Sequence, residues 1–435
     1  MSADEKIIKT VSESDQSFWS NVKRQFRKNR LAVYSLRFIY VLIFIAVFAD
    51  FIANEKPIAC KYNNSVYFPL LKSYSVDLGL SQWQPEFQNV TWKDLEYEWV
   101  VFPPVPYLPK NIDAYNSQSV SPFAAQEVKS TRWKHWLGTD ELGHDILAAM
   151  IHGTRVSLQV GLISQSIAAL IGILLGALAG YYGDDRLKIS RGRLLMIVVF
   201  LFLAFFYGFG ARSYILGDAI GVSFGKFLTE LLLSVAIMVI IITIGNLIAS
   251  LLKFIPFLKR KIDIPIDIIV SRMVEIMVSI PTLFLIIAIV AIAKPSIVLV
   301  MVIIGMTTWT GIARFIRAEL LKVRNLEFIE SAHALGFSEM RTLFRHAIPN
   351  ALSPVLIAVA FGIAAAILIE STLSFLGIGV PAETLTWGSV LSAARQSPTA
   401  WWLAIFPGFA IFLTVTVYNL VGEGLTDALD PRQKK

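Results

Sequence analysis

The sequence predicts an all-α fold, a polytopic transmembrane helix bundle of about eight spans, and three observations carry that prediction. Hydrophobic residues fill 55% of the 435 positions and charged residues only 16%, against about a quarter charged in soluble globular chains. Several apolar runs reach about twenty residues, enough to cross a hydrocarbon core of roughly 30 Å. These runs are continuous, whereas the strands of membrane barrels alternate, so a β-barrel is not expected.

The formal charge of +7 is what a membrane protein acquires when basic residues collect in its cytoplasmic loops, and no nucleic-acid partner is expected. Cys60 is the only cysteine, which excludes an intrachain disulfide and a cysteine metal cluster. His135, His144, His152, His333 and His346 have no metal-ligand spacing.

The elements follow in order. Residues 1–30 are polar and mixed in charge, with no small-residue cleavage pattern after the next apolar run, and read as a retained cytoplasmic tail. The tail closes on Lys23, Arg24, Arg27, Lys28 and Arg30, which hold the near end of the first span (31–53) in the cytoplasm. Residues 54–136 are rich in Tyr, Trp, Pro and Asn and form an external segment. Long segments are translocated regardless of charge, and Pro103, Pro104 and Pro106 oppose continuous helix.

A second span, Ser157–Tyr182, carries Gly172, Gly176 and Gly180 at four-residue spacing, a face that lets helices approach closely in lipid. Two further runs, Leu194–Gly210 and Leu228–Leu252, lie between basic segments and form a hydrophobic hairpin within 184–263. The remaining spans are predicted at Ile266–Ala293, Ser296–Ile312, Ala351–Gly377 and Trp401–Val421. Counting from an inside N-terminus leaves 313–350 and the tail from Asp427 in the cytoplasm. Arg314, Arg317, Lys322, Arg324, Arg341 and Arg345 agree with that side.

The inner loop 313–350 is the most informative stretch. It predicts a helix from about Leu321 to Leu335, a break at Gly336 in a left-handed C′ position, and a second helix capped by Ser338. Ser331 and Ala332 are small and let a partner surface come close. Pro349 opens the next span, where a missing amide costs little. Two positions within spans are candidate gate or pathway residues. Pro281 is expected to kink its helix. Glu370 is an intramembrane carboxylate, placed about twenty residues beyond Pro349 and so near a hydrated outer boundary. Arg272 and Glu275 are expected to pair along one helix face.

Glu330, Ser331, Ala332, Gly336 and Pro349 match the E-x-A…G…P loop of permease subunits of ABC transporters. The ordered series extends further: His135–Trp136–Leu137–Gly138–Thr139–Asp140 with Gly143 and Asp145; Gly153, Arg155, Ser157 and Leu158; Trp309, Ala313, Arg314 and Arg317; Arg345–His346 and Pro349–Asn350; Glu370, Ser374–Phe375–Leu376–Gly377 and Trp387–Gly388; and Gly422, Asp427 and Asp430–Pro431–Arg432. Over this range the chain resembles the second, C-type permease subunit of oligopeptide and dipeptide importers, and of the related nickel importers. His144, Ser331 and Ala347 depart from the family's usual Arg, Ala and larger aliphatic residue. The length of 54–136 and the 184–263 hairpin also depart from its common six-span pattern.

The resemblance implies the transmembrane domain of a type I ABC importer, with six core spans in 31–53, 137–183 and 264–435 and two inserted. It implies a bacterial cytoplasmic (inner) membrane location with both termini cytoplasmic, and 313–350 as the loop that couples to an ATPase. The implied partners are a homologous permease subunit, two ATP-binding cassette subunits, an external solute-binding protein and membrane lipid. The chain is expected to be a non-catalytic subunit that binds no cofactor, with ATP and magnesium held by the ATPases. It has no P-loop: at Gly225–Lys226–Phe227 the hydroxyl residue is missing and Ile220 replaces the first glycine. The alternatives are a nickel permease, a stand-alone secondary transporter or channel, which would carry mid-membrane charges and inverted repeats, and a membrane enzyme or receptor working through 54–136.

Overall fold

The computed structural model describes residues 18–88, 90–251, 255–292, 294–381 and 384–429. Residues 1–17, Leu252, Lys253, Ala293, Asp430, Pro431 and Arg432, all invoked from the sequence, lie outside the described residues. In chain order the elements are α1 (Phe18–Phe26), α2 (Arg30–Val47), α3 (Ala49–Ile52), β1 (Ala59–Tyr62), β2 (Ser65–Tyr67), α4 (Pro69–Asp77), β3 (Trp99–Val101) and α5 (Ile146–Tyr182). Next come β4 (Lys188–Ser190), α6 (Arg191–Phe205) with a π-turn at Phe206–Gly210, α7 (Ser213–Val222), α8 (Phe224–Leu251), α9 (Pro256–Lys259) and β5 (Lys261–Asp263). The chain ends with α10 (Ile266–Ser279), α11 (Thr282–Ile292), α12 (Ile297–Val323), α13 (Glu327–Ala334), α14 (Glu339–Thr342), α15 (Ile348–Ala351), α16 (Ser353–Phe375), α17 (Trp387–Ala393) and α18 (Trp402–Leu429).

Among the described residues, α2, α5, α6 with its π-turn, α8, α12, α16 and α18 are long and apolar enough to cross a membrane, and α10 with α11 makes up to 8 spans if that bent pair counts as one. Several helices outrun the predicted spans. α5 starts at Ile146 rather than Ser157, α12 continues from Ile312 to Val323, and α18 from Val421 to Leu429. Hydropathy marks where hydrocarbon is; polar residues that are good helix formers carry the helix on into the interface.

The chain divides into two compact units, residues 1–162 with 363–435, and residues 163–362. In the first, α18 packs along α1 and α2. A Cβ on Gly424 would lie 2.3 Å from the Ala32 Cβ, so only glycine permits that approach. Asn29 caps α2 by accepting from the Ala32 amide at 3.1 Å, and its own amide donates to Asp427 at 3.1 Å. The 54–136 segment folds as a small antiparallel sheet in the order β2-β1-β3, with Cys60 opposite both Tyr67 and Val100. Asn63 and Asn64 both have positive φ (47° and 62°), as the two-residue β1–β2 turn requires. Phe87, Trp92 and Phe102 form its core.

Below this core lies a buried ionic cluster. His135 is fully buried and stacks on Tyr107. Its Nδ1 is 2.8 Å from Asp145 and its Nε2 is 3.2 Å from Asp113. Asp145 also accepts from the Ala148 amide in the first turn of α5. Burial disfavours the imidazolium, but Asp145 and Asp113 outweigh it and hold the His135 pKa above the ordinary histidine value.

In the second unit, α5 and α12 meet along the predicted glycine face. A Cβ on Gly172, Gly176 or Gly180 would lie 2.8, 2.5 or 2.6 Å from the carbonyl oxygens of Trp309, Ala313 and Arg317. The 184–263 insertion is a helical hairpin of α6 and α8 closed at its base by the antiparallel pair β4–β5. Arg212 crosses it, donating to Ser234 at 3.0 Å and to Glu230 at 2.5 Å. Only 17% of the α6 span and 11% of the α8 span is buried within this chain, which leaves most of their apolar surface for lipid or a partner subunit to cover.

Candidate coupling site

The loop after α12 is built differently from the sequence expectation. The helix predicted from Leu321 to Leu335 is two helices. α12 ends at Val323, a turn follows, and α13 begins at Glu327. α13 closes at Gly336, whose φ of +79° is the left-handed geometry that ends a helix at low cost for glycine alone. The Phe337 amide then reaches back to the Ala332 carbonyl at 3.1 Å. Ser338 holds the N-cap position of α14, yet its side chain makes no cap hydrogen bond. α14 continues through a π-turn, Leu343–Ala347, into α15, where Pro349 sits in the first turn and keeps its ring exposed.

The predicted residues separate into two sets. Glu330, Ser331 and Gly336 are exposed on the outer side of the bend, beside exposed Phe328, Leu335, Met340 and Phe344. The Ser331 hydroxyl is bonded to its own helix, at the Glu327 carbonyl. Ala332 was expected to admit a partner; it is 5% exposed and faces inward, and its small side chain lets the loop close on itself. Beneath the bend, Ile329, Leu343, Ala347 and Ile348 join a core with Tyr181, Tyr182, Ile316, Leu320 and Val323.

Sequence reasoning missed the polar contacts that hold this bend. The Tyr181 hydroxyl donates to Glu339 at 2.8 Å and lies 3.3 Å from His333 Nε2. The Tyr182 hydroxyl donates to the Met340 sulfur at 3.3 Å. The available signal was a pair of tyrosines ending a glycine-faced span, since a buried phenol needs a partner. Arg317 forms a bidentate pair with Asp267, tying α12 to the first turn of α10. Arg272 and Glu275 pair at 2.5 Å, as their spacing predicts.

Pro281 does more than kink a helix. α10 and α11 are separate helices, bent by 80° about the Ser279–Thr282 break. Proline disfavours helical geometry in the residue before it, and Ile280 is extended. Pro281 itself is exposed.

Glu370, in the first unit, differs from expectation in its surroundings. It was placed at a hydrated boundary, but it is fully buried. Ser374 donates to it at 2.6 Å and Ser371 at 3.5 Å, and the Thr386 side chain also hydrogen-bonds to it. Helix rise alone fixed its depth; the segment that covers it, 384–393, lies beyond the end of its own helix. Thr386 caps α17. In the next residue, Trp387 donates to the Met150 carbonyl at 3.0 Å, and a Cβ on Gly153 would lie 2.6 Å from its ring. Residues scattered along the sequence thus form one packed knot. Gly225 and Lys226 lie within α8, not on a loop.

The binding-protein-dependent transport system inner membrane component family matches residues 245–435. The N-terminal TM domain of oligopeptide transport permease C matches residues 17–71. The chain is 28% identical over 430 residues to the inner membrane ABC transporter permease protein YejE of Escherichia coli, covering 97% of this chain and 98% of that protein. It is 30% identical over 302 residues to the dipeptide transport system permease protein DppC of Alkalihalophilus pseudofirmus, covering 69% and 73%. A third relative, the peptidoglycan transport system permease protein YejE of Agrobacterium fabrum, is 24% identical over 435 residues, covering 95% and 92%. Together with its long apolar helices, these matches identify the chain as a multi-pass inner-membrane protein that belongs to the permease family of binding-protein-dependent ABC importers, as a C-type subunit.

Proposed function

We propose that this chain forms half of the translocation pathway of an ATP-driven importer of oligopeptides or dipeptides. A homologous permease supplies the other half, two ATP-binding cassette subunits hydrolyse Mg-ATP, and an external binding protein delivers the solute. The chain itself holds no cofactor in this reading. The observation that carries it is the bend Glu330–Gly336: a polar and aromatic knuckle with exposed Glu330, Ser331, Phe328 and Leu335, seated directly on the α5–α12 pair. Such a surface transmits force only if the partner contacts it differently in its two nucleotide states.

The names of the relatives favour peptides over nickel as cargo. We assign Pro281 to the pathway, because a span broken mid-course exposes backbone where a solute-lined cavity tolerates it. Glu370 braces the knot beneath α17 rather than lining an open channel. The test is reconstitution in liposomes. Uptake of labelled trialanine is expected only from the full complex with ATP inside the compartment facing the ATPases. Solute-dependent flux from this chain alone would establish a stand-alone transporter and end the importer reading.

A further inference from the structure

We propose that Tyr181 is a positioning residue of the importer, holding both arms of the coupling bend to the end of α5. The proposal rests on the importer reading and extends it to a residue on a different helix. One phenol hydroxyl meets the two arms at once: His333 on α13 at 3.3 Å and Glu339 on α14 at 2.8 Å. His333 and Glu339 are themselves 3.7 Å apart, so the three groups form a closed polar triangle across the Gly336 turn. The Tyr181 ring is fully buried, with the adjoining Tyr182 ring edge-on at 5.3 Å.

The base of the strut is rigid. Gly180 immediately precedes Tyr181 and packs against the Arg317 carbonyl of α12, with Gly176 and Gly172 in the turns below. A displaced bend therefore pulls on α5 and α12 together. Without the hydroxyl, the arms keep their apolar packing but lose the directional contact. Hydrogen bonds to charged groups are among the stronger ones, and Glu339 stands in the first turn of α14, at the end nearest the Gly336 turn.

The experiment uses the complex purified with its ATPases in liposomes, with trialanine uptake and ATP hydrolysis measured together. Tyr181→Phe is expected to reach wild-type membrane levels and to copurify with the ATPases. Its uptake per ATP hydrolysed is expected to fall on the order of tenfold, the size of one charge-assisted hydrogen bond, with KM for the peptide unchanged. Glu339→Gln retains an acceptor oxygen but not the charge and is expected to fall between wild type and Glu339→Ala, while Glu339→Ala matches Tyr181→Phe. The double variant Tyr181→Phe/Glu339→Ala is expected to be no worse than either alone, because both remove one contact. Wild-type uptake per ATP in Tyr181→Phe overturns the proposal. So does loss of Glu339→Gln to the level of Glu339→Ala, additive losses in the double variant, or failure of Tyr181→Phe to assemble, which would mark a purely structural tyrosine. If the wild-type complex shows no ATP-driven uptake, the importer reading falls and this proposal with it; wild-type uptake with Tyr181→Phe unimpaired sinks the proposal alone.

Discussion

Gly336 and His135 show how single residues set the behaviour of the regions around them. Gly336 has φ of +79° and open space where a side chain would point. Conformation, not volume, is therefore what glycine supplies. A left-handed backbone costs an ordinary residue about 1–2 kcal/mol, and Asn adopts it more readily. Gly336→Val is expected to abolish uptake while leaving membrane insertion intact, and Gly336→Asn to retain a substantial part; equal loss in both would show that contact, not backbone geometry, matters there. His135 makes a different prediction, because its folded pKa is raised. Its stabilising contribution is complete below the ordinary histidine value of about 6.5 and is lost as pH rises through the raised value. Burial pushes the Asp113 carboxyl up, but Asn116, His135, Lys93 and the Tyr115 amide bring it below the usual range. Asp113 therefore contributes above the ordinary carboxylate value and loses that contribution as pH falls through its own depressed one. His135→Gln removes the central charge of a buried cluster, a change that costs about 3 kcal/mol or more. Hydrogen exchange across 54–136 is expected to speed up in this variant most strongly below the ordinary histidine value, with the gap to wild type narrowing as pH rises through the raised His135 value. A gap independent of pH would mean that shape, not charge, is what the site requires.

Between helices the governing fact is how near two backbones come. A Cβ on Gly176 would lie 2.5 Å from the Ala313 carbonyl oxygen, and backbone cannot yield as a side-chain tip can. Overpacking of this kind costs roughly 1–3 kcal/mol, so Gly176→Val is expected to lower the melting temperature of the detergent-solubilised protein. Gly217, in α7, has nothing within 4 Å of the same position, and Gly217→Val serves as the control with little change; equal destabilisation of both would point to helix propensity rather than packing. This glycine face was legible in the sequence because its four-residue period is local. So were the spans, whose apolar runs are continuous, and the bend, where Gly336 lies two residues before Ser338. What escaped the sequence depends on distant partners. The three-stranded sheet has strands of three or four residues, too short to show a period. The sealing of Glu370 needs the segment beyond the end of its own helix, and the Tyr181 strut needs one about 150 residues along the chain. The 80° break was half legible: Pro281 announces a disturbance, but whether a helix bends or parts depends on how Ile280 is accommodated.

Topology of the whole chain turns on the parity of that broken pair. With the N-terminus inside, α2, α5, α6 and α8 return the chain to the cytoplasm before Ile266. If α10 and α11 together cross the membrane, α12 brings the Gly336 bend back to the cytoplasm, and α16 and α18 leave the C-terminal end there. If the pair re-enters and exits on the same side, everything after it inverts. The bend would then face outward with Arg314, Arg317, Lys322, Arg324, Arg341 and Arg345, contrary to the tendency of basic residues to stay inside. We therefore expect α10 and α11 to cross as one broken span. The natural Cys60 is buried, and burial pushes its thiol up to about 11, so it gives little background to a maleimide that needs thiolate. Single cysteines at exposed Leu335 and exposed Tyr115 provide the two reporters. In intact cells a membrane-impermeant maleimide is expected to label Tyr115→Cys and spare Leu335→Cys, with the latter labelled only after the membrane is opened. Labelling of Leu335→Cys from outside would make the pair re-entrant, place the bend beyond the reach of any cytoplasmic ATPase, and remove the physical basis for coupling through it.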